Sequence, residues 1–170
     1  TSEKQDILRG YKIISSQKIK NIKDLELQLP QPCTLTLDDI NPENPKTVLM
    51  NYAVTEKADG ERYILYIYKN RGYLINSKKN IIDTGVDFVD LNREYVFDGE
   101  YITKNINNEN IKLFMIFDIY YIKTISDINK VHKYPFIYNE KSLPGPGAFG
   151  IQQTRYSLIQ EFKKQNLLNT

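Results

Sequence analysis

Thr55-Glu56-Lys57-Ala58-Asp59-Gly60-Glu61-Arg62-Tyr63 sets a lysine, an Asp-Gly turn and an arginine in close succession. A lysine is inert as a nucleophile while it is an ammonium. Desolvation or a neighbouring cation lowers its pKa and frees the amine. Arg62 and a metal-bound nucleotide would both bias Lys57 that way, and Arg62 is also a permanent donor for phosphate or ribose oxygens. Gly60 carries no side chain, so the backbone can approach a ligand closely. Asp59 can orient the amine or accept from nearby backbone donors. The chemistry indicated is group transfer through a lysyl amine.

Two further segments carry matching equipment. In Val96-Phe97-Asp98-Gly99-Glu100-Tyr101 the two acids stand two apart, so a regular strand points both to one side. Such a pair can hold a metal or bond ribose hydroxyls. In Phe114-Met115-Ile116-Phe117-Asp118-Ile119-Tyr120 an aromatic precedes an acid inside an apolar run. Phe117 suits base stacking and suits plain core packing equally well. Asp118 is equally readable as an internal hydrogen-bond anchor or a site residue.

The elements that must position these groups read as β. Residues 48–55 form one candidate strand, Asp59-Gly60 a turn, and residues 62–69 a strand rich in Tyr, Ile and Leu. Asn70-Arg71-Gly72 turns the chain and residues 73–77 return, giving a hairpin. Residues 95–103 and 111–122 make a second pair, apolar on both faces and so buried on both sides. Residues 34–37 suit a short strand between the breaks at 29–32 and 41–45. Asp38-Asp39 suits a strand end or a turn cap. Residues 1–29 show no clean period and read as a lead-in with one or two short elements. Residues 123–138 read as irregular and 143–150 as a Pro/Gly loop. Thr154 then suits an N-cap, with Tyr156, Leu158, Ile159 and Phe162 on one helical face. The expected fold is α+β, mainly antiparallel sheet with flanking helices. Residues 1–46 are the lead-in, and 47–170 the first part of a domain that is incomplete at its C-terminus.

Composition narrows the function. The 170 residues carry a net charge of only +2, which excludes a general polyanion binder; contact with nucleic acid would need a local basic patch. Lys18, Lys20 and Lys23 are one such cluster, although a solvated face is the default for charge runs. The single cysteine, Cys33, permits no internal disulfide and suits a plain thiol in a reducing compartment. No apolar run suits a signal peptide or a bilayer span, so an intracellular protein with no membrane partner is expected. Gly145-Pro146-Gly147-Ala148-Phe149-Gly150 fits a dinucleotide-loop spacing, yet no strand leads into it and Pro146 stiffens it. His132 reads as a surface histidine. The Ile, Asn, Lys and Tyr bias is that of an AT-rich genome.

Taken in order, Lys57-x-Asp59-Gly60-x-Arg62, Phe97-Asp98-Gly99-Glu100 and 114–119 resemble the covalent lysyl-nucleotidyltransferase superfamily of mRNA-capping guanylyltransferases and ATP-dependent DNA and RNA ligases. The resemblance spans residues 48–121. Lys-Ala-Asp-Gly-x-Arg-Tyr is most similar to capping guanylyltransferases, especially the multifunctional capping enzymes of large DNA viruses. It implies that Lys57 takes up GMP from GTP, and that Glu56, Asp59, Gly60, Arg62, Glu100 and Phe117 bind the nucleotide. Within that set, Glu100 bonds the ribose and Phe117 stacks on the base. Mg²⁺ or Mn²⁺ would neutralise developing charge, with Asp98 and Glu100 as possible ligands. GMP then passes to the 5′-diphosphate end of RNA. The implied partners are GTP, RNA and further modules of a larger capping protein: an OB-fold, a triphosphatase and a methyltransferase. A viral enzyme would work in the host cytoplasm or the virion.

The sequence also departs from that pattern. The family's later Glu-Gly and Lys-x-Lys motifs do not follow the third segment before Thr170. The chain thus reads as the front of a catalytic domain, needing further residues for full activity. Where ligase relatives carry a Ser-Arg pair, this sequence has Ser77-Lys78-Lys79. An ATP-dependent ligase and a noncatalytic fragment of such an enzyme are the alternatives.

Overall fold

The computed structural model describes residues 1–27, 31–50, 52, 54–89, 93–124, 131–133 and 155–166. Helix α1 (Ser2–Ile14) and a 3-10 turn (Ile22–Asp24) precede six strands: β1 (Glu61–Tyr68), β2 (Arg71–Ile75), β3 (Ile81–Asp87), β4 (Arg93–Lys104), β5 (Asn110–Thr124) and β6 (Val131–Lys133). Helix α2 (Arg155–Asn166) follows. The strands form one antiparallel sheet in the order β3-β2-β1-β4-β5-β6. The architecture is the expected α+β arrangement of antiparallel sheet and flanking helices.

Alternation along β1 divides the core in two. Ile64 and Tyr66 face the side that α1 covers, where they meet Ile7, Leu8, Tyr11, Ile14, Val96 and Tyr120. Tyr63, Leu65 and Ile67 face the other side, with Phe97, Ile119 and the α2 residues Leu158 and Phe162. Both faces of the central strands are therefore buried, and each large apolar side chain sealed there contributes about 1.5–3 kcal/mol. Phe162 packs against Phe97 with ring centroids 4.7 Å apart, which fixes α2 on its face.

The lead-in forms a longer helix than its sequence suggested. Ile7, Leu8, Tyr11 and Ile14 recur at helical spacing and are all buried. Gly10, a poor helix former, interrupts that signal. Its place is steric: a Cβ there would lie 2.7 Å from the Tyr66 hydroxyl and 2.8 Å from Tyr68 Cε2. The helix thus rests directly on β1, with Tyr11 edge-on to Tyr66 at 6.0 Å.

Several expected elements are corrected. The described residues of 48–55 form no strand; Leu49, Met50, Tyr52 and Val54 are exposed, and Val54 is 97 % accessible. Apolar composition alone does not make a strand without a ladder partner. Residues 34–37 are also irregular. There Asp39 accepts from the Thr36 backbone N–H at 2.7 Å and its hydroxyl at 2.8 Å, so that acid caps a turn. Strand β3 lies where none was expected, and 131–133 of the supposedly irregular segment pair with β5. The β1–β2 turn is made by Lys69 and Asn70, both at positive φ, and Gly72 lies within β2. Burial on both faces holds for β4 from Tyr95 to Gly99 and for β5 from Ile119 to Ile122, but Leu113 and Phe117 are exposed. Thr154 and 143–150 lie outside the described residues, as does the side chain of His132.

Candidate active site

Strands β1 and β4 fix the first wall of the site. Their register sets Arg62 opposite Glu100 and Ile64 opposite Asp98, so Arg62, Asp98 and Glu100 share the α1 face of the sheet. Arg62 donates to Asp98 through two atoms, Nε to Oδ1 at 3.1 Å and Nη2 to Oδ2 at 2.6 Å. Asp98 is buried to 1 % exposure. The Tyr120 hydroxyl donates to Asp98 Oδ2 and accepts from Arg62 Nη2 at 3.4 Å. Burial, then the bond to Asp98, holds the Tyr120 phenol protonated. The bond to Asp98 likewise holds the Arg62 guanidinium in its charged form. Asp98 therefore anchors Arg62, and the pair leaves the Arg62 Nη1 donors outside it.

Glu100 is engaged differently. Its Oε1 accepts from the Gly60 N–H at 3.0 Å, tying the loop after Lys57 to β4. Gly60 permits that approach: a Cβ would collide with the Tyr101 carbonyl oxygen and lie 3.0 Å from Glu100 Cγ. Gly99 has the same reason to be glycine, since a Cβ would strike the Met115 carbonyl oxygen and the Phe114 ring.

Two β-bulges aim the next residues. Val96 pairs with Tyr121 and Phe97 with Ile119, so Tyr120 is an extra residue in β5. Asp98 pairs with Asp118 and Gly99 with Ile116, so Phe117 is a second extra residue. A bulge breaks alternation and redirects side chains, and bulges concentrate beside functional sites. Here both of them serve one cavity.

That cavity encloses about 510 Å³. Arg62, Asp98, Glu100, Phe117 and Tyr120 line it from the strands, and Glu56 and Lys57 from the irregular segment before β1. The sequence-derived residues Lys57, Glu56, Arg62, Glu100 and Phe117 thus meet in one place, on one side of the sheet. Asp59 and Gly60 do not line it. They border a separate cleft of about 320 Å³ with Tyr63, Tyr101 and Lys104. Asp118 lies at the cavity edge, where its Oδ2 is 3.3 Å from Arg155 Nη1 of α2 and its Oδ1 accepts from the Ile119 N–H at 2.8 Å. Burial raises its carboxyl above the ordinary range, against the pull of Arg155.

Sequence reasoning missed Tyr120, Met115 and Ile116 in this wall. Without the bulges, alternation cannot say which β5 residues turn inward. A metal cage is a separate matter. Among the described residues no group of three His, Cys, Asp or Glu side chains converges to hold an ion. The Asp98 oxygens are taken by Arg62 and Tyr120.

The geometry is that of a nucleotide-sized cavity with a lysine on one wall and an arginine clamp on the other. A family model described as the mRNA capping enzyme catalytic domain matches residues 5–161. This chain belongs to that family. Comparisons with curated proteins and with solved structures gave no match. The capping-enzyme match takes in most of α1, the sheet and part of α2, so these elements form part of the family's nucleotidyltransferase architecture.

Proposed function

We propose that this capping-enzyme domain is an mRNA guanylyltransferase module that forms a covalent lysyl-GMP at Lys57. The observation that carries this reading is the sharing of one cavity by Lys57, Arg62, Glu100 and Phe117. The Lys57 amine, once neutral, attacks the α-phosphorus of GTP. A P–N bond forms, the bond to the bridging oxygen breaks, and pyrophosphate leaves. A terminal phosphate oxygen of a 5′-diphosphate RNA end then attacks the same phosphorus and releases the lysine.

The residues divide the remaining work. Arg62, held by Asp98, presents fixed donors to nucleotide oxygens. Glu100 bonds the ribose and, through Gly60, sets the loop that carries the nucleophile. Phe117 stacks on the base, an interaction worth ~1–3 kcal/mol. Glu56 sits beside Lys57 on the same wall of the cavity. Mg²⁺ or Mn²⁺ would be held chiefly by the triphosphate and water, with Glu100 as the nearest candidate protein ligand; when bound it neutralises charge on the phosphates. Asp98 serves in this reading as the anchor of Arg62.

The test is incubation with α-labelled GTP and Mg²⁺ or Mn²⁺, followed by denaturing electrophoresis. The expected outcome is a label that stays with the protein, is discharged by pyrophosphate and disappears in Lys57→Ala. Labelling that survives Lys57→Ala refutes the lysine assignment. Labelling by ATP in preference to GTP supports the ligase reading instead.

A further inference from the structure

Another concave feature among the described residues lies outside the nucleotide cavity. It is a groove of about 990 Å³ between α1, the segment around the 3-10 turn and the β2–β3 turn. Helix α1 contributes Lys4, Arg9 and Lys12; the 3-10 segment contributes Lys20 and Lys23; the turn contributes Lys78 and Lys79. None of the described residues lining it is acidic. Arg9 forms an exposed pair with Asp6 at 3.3 Å. In a chain whose net charge is only +2, this is a strong local concentration of cations.

The groove is assembled from three separate stretches of chain, which sets it apart from a charge run on one solvated face. The Lys79 ammonium donates to the Lys23 carbonyl oxygen and joins two of its walls. Lys4 and Lys12 stand eight residues apart on α1, about 12 Å along the axis, long enough for the cationic lining to meet more than one phosphate of an extended strand. The groove also lies toward the same end of the sheet as the cavity. The turn bearing Lys78 and Lys79 continues from Ile75, whose register partner is Ile64, two residues beyond Arg62. Helix α1 covers the same sheet face that carries Arg62 and Asp98.

We propose that this groove binds the phosphate backbone of the acceptor RNA and leads its 5′ end toward the nucleotide cavity. The preference for RNA over other polyanions rests on the capping reading; the polyanion site itself rests on the groove. A concave track suits a strand better than a lipid surface, which favours a flat or apolar-edged patch.

The experiment uses the exposed side chains Lys4, Lys20, Lys23 and Lys78, which lie outside the nucleotide cavity. Binding of a short 5′-diphosphate single-stranded RNA is measured by fluorescence anisotropy without nucleotide, for the natural chain and for K4E/K20E/K23E/K78E. A K4R/K20R/K23R/K78R variant is run alongside. The Glu variant is expected to lose about ten-fold or more in affinity at about 0.1 M salt, and the Arg variant to retain it. The slope of log affinity against log salt should shrink by about 3, at ~0.7 per lost phosphate contact. Melting temperature and GMP labelling should be the same in all three. Equal RNA affinity in the Glu variant, or charge-dependent binding to phosphatidylserine vesicles with none to RNA, overturns the groove. If the natural chain binds RNA through these lysines yet its covalent labelling prefers ATP to GTP, the groove stands and the guanylyltransferase reading falls.

Discussion

The two walls of the candidate active-site cavity are built in opposite ways. The strand wall holds Arg62, Asp98, Glu100 and Tyr120 in a sheet whose register, bulges and glycines leave little freedom. The other wall carries Glu56 and Lys57 on backbone without a ladder, exposed, and tied to the sheet through the Gly60–Glu100 bond. The contrast separates two demands. Groups that recognise a ligand benefit from being fixed in advance, because a fixed donor loses no ordering entropy on binding. In the proposed reaction the Lys57 amine must approach and then release a phosphorus atom, and it benefits from a looser mount.

This contrast can be broken most severely on the strand wall. Asp98→Asn leaves the Arg62 guanidinium without its buried counter-charge. A loss of about 3 kcal/mol in unfolding free energy is expected, since removing one partner of a buried pair costs several kcal/mol and Arg62 is only partly enclosed. Chemical denaturation measures it, and a variant of natural stability would show that the clamp is not what fixes this wall. Lys57→Ala, by contrast, should leave the denaturation midpoint unchanged while abolishing covalent labelling. A large stability change there would erase the distinction between the walls.

Phe117→Ala sharpens the comparison at intermediate size. The ring is 43 % exposed, so stability should fall by well under the ~3–5 kcal/mol of a buried aromatic. Guanine nucleotide affinity should weaken by about ten-fold, equivalent to ~1.4 kcal/mol, as read by calorimetry. Loss of stability without loss of affinity would return Phe117 to the core.

The smallest effect concerns Asp118. Its carboxyl is raised by burial, so the folded protein holds that proton more tightly than the unfolded chain. The stabilisation from this group is fully present below the ordinary aspartate range and is lost as pH rises through the elevated value. Asp118→Asn should therefore match the natural chain in acid and melt higher at neutral pH, by no more than about a few degrees. Thermal scans across that range check it; a variant that melts lower at neutral pH would mean that the Arg155 contact outweighs burial.

How much of this was legible in the sequence follows from the range of each interaction. The β1–β2 hairpin and the β4–β5 pair announce themselves through apolar runs and turn residues that act locally. The meeting of Lys57, Arg62 and Glu100 was legible through motif order. Helix α1 was hidden because Gly10, required by contact with Tyr66 and Tyr68, sits in the middle of its period. Strand β3 was hidden because Gly85, at φ +72°, and two aspartates read as loop. Both aspartates are paired with Arg71 across the sheet. The bond of Asp98 to Arg62 spans 36 positions, and no local pattern reports it. The inward turn of Tyr120 depends on a bulge, which a single sequence does not encode in any regular period.

The bare contact at Gly10 has a consequence for the assembly as a whole. With no atom beyond the backbone between α1 and the rings of Tyr66 and Tyr68, that position works as a spacer of zero thickness. Any thicker residue would act as a shim, levering the helix outward and taking Lys4 and Lys12 with it. The distance between the basic groove and the candidate cavity is thus gauged by a missing methyl group.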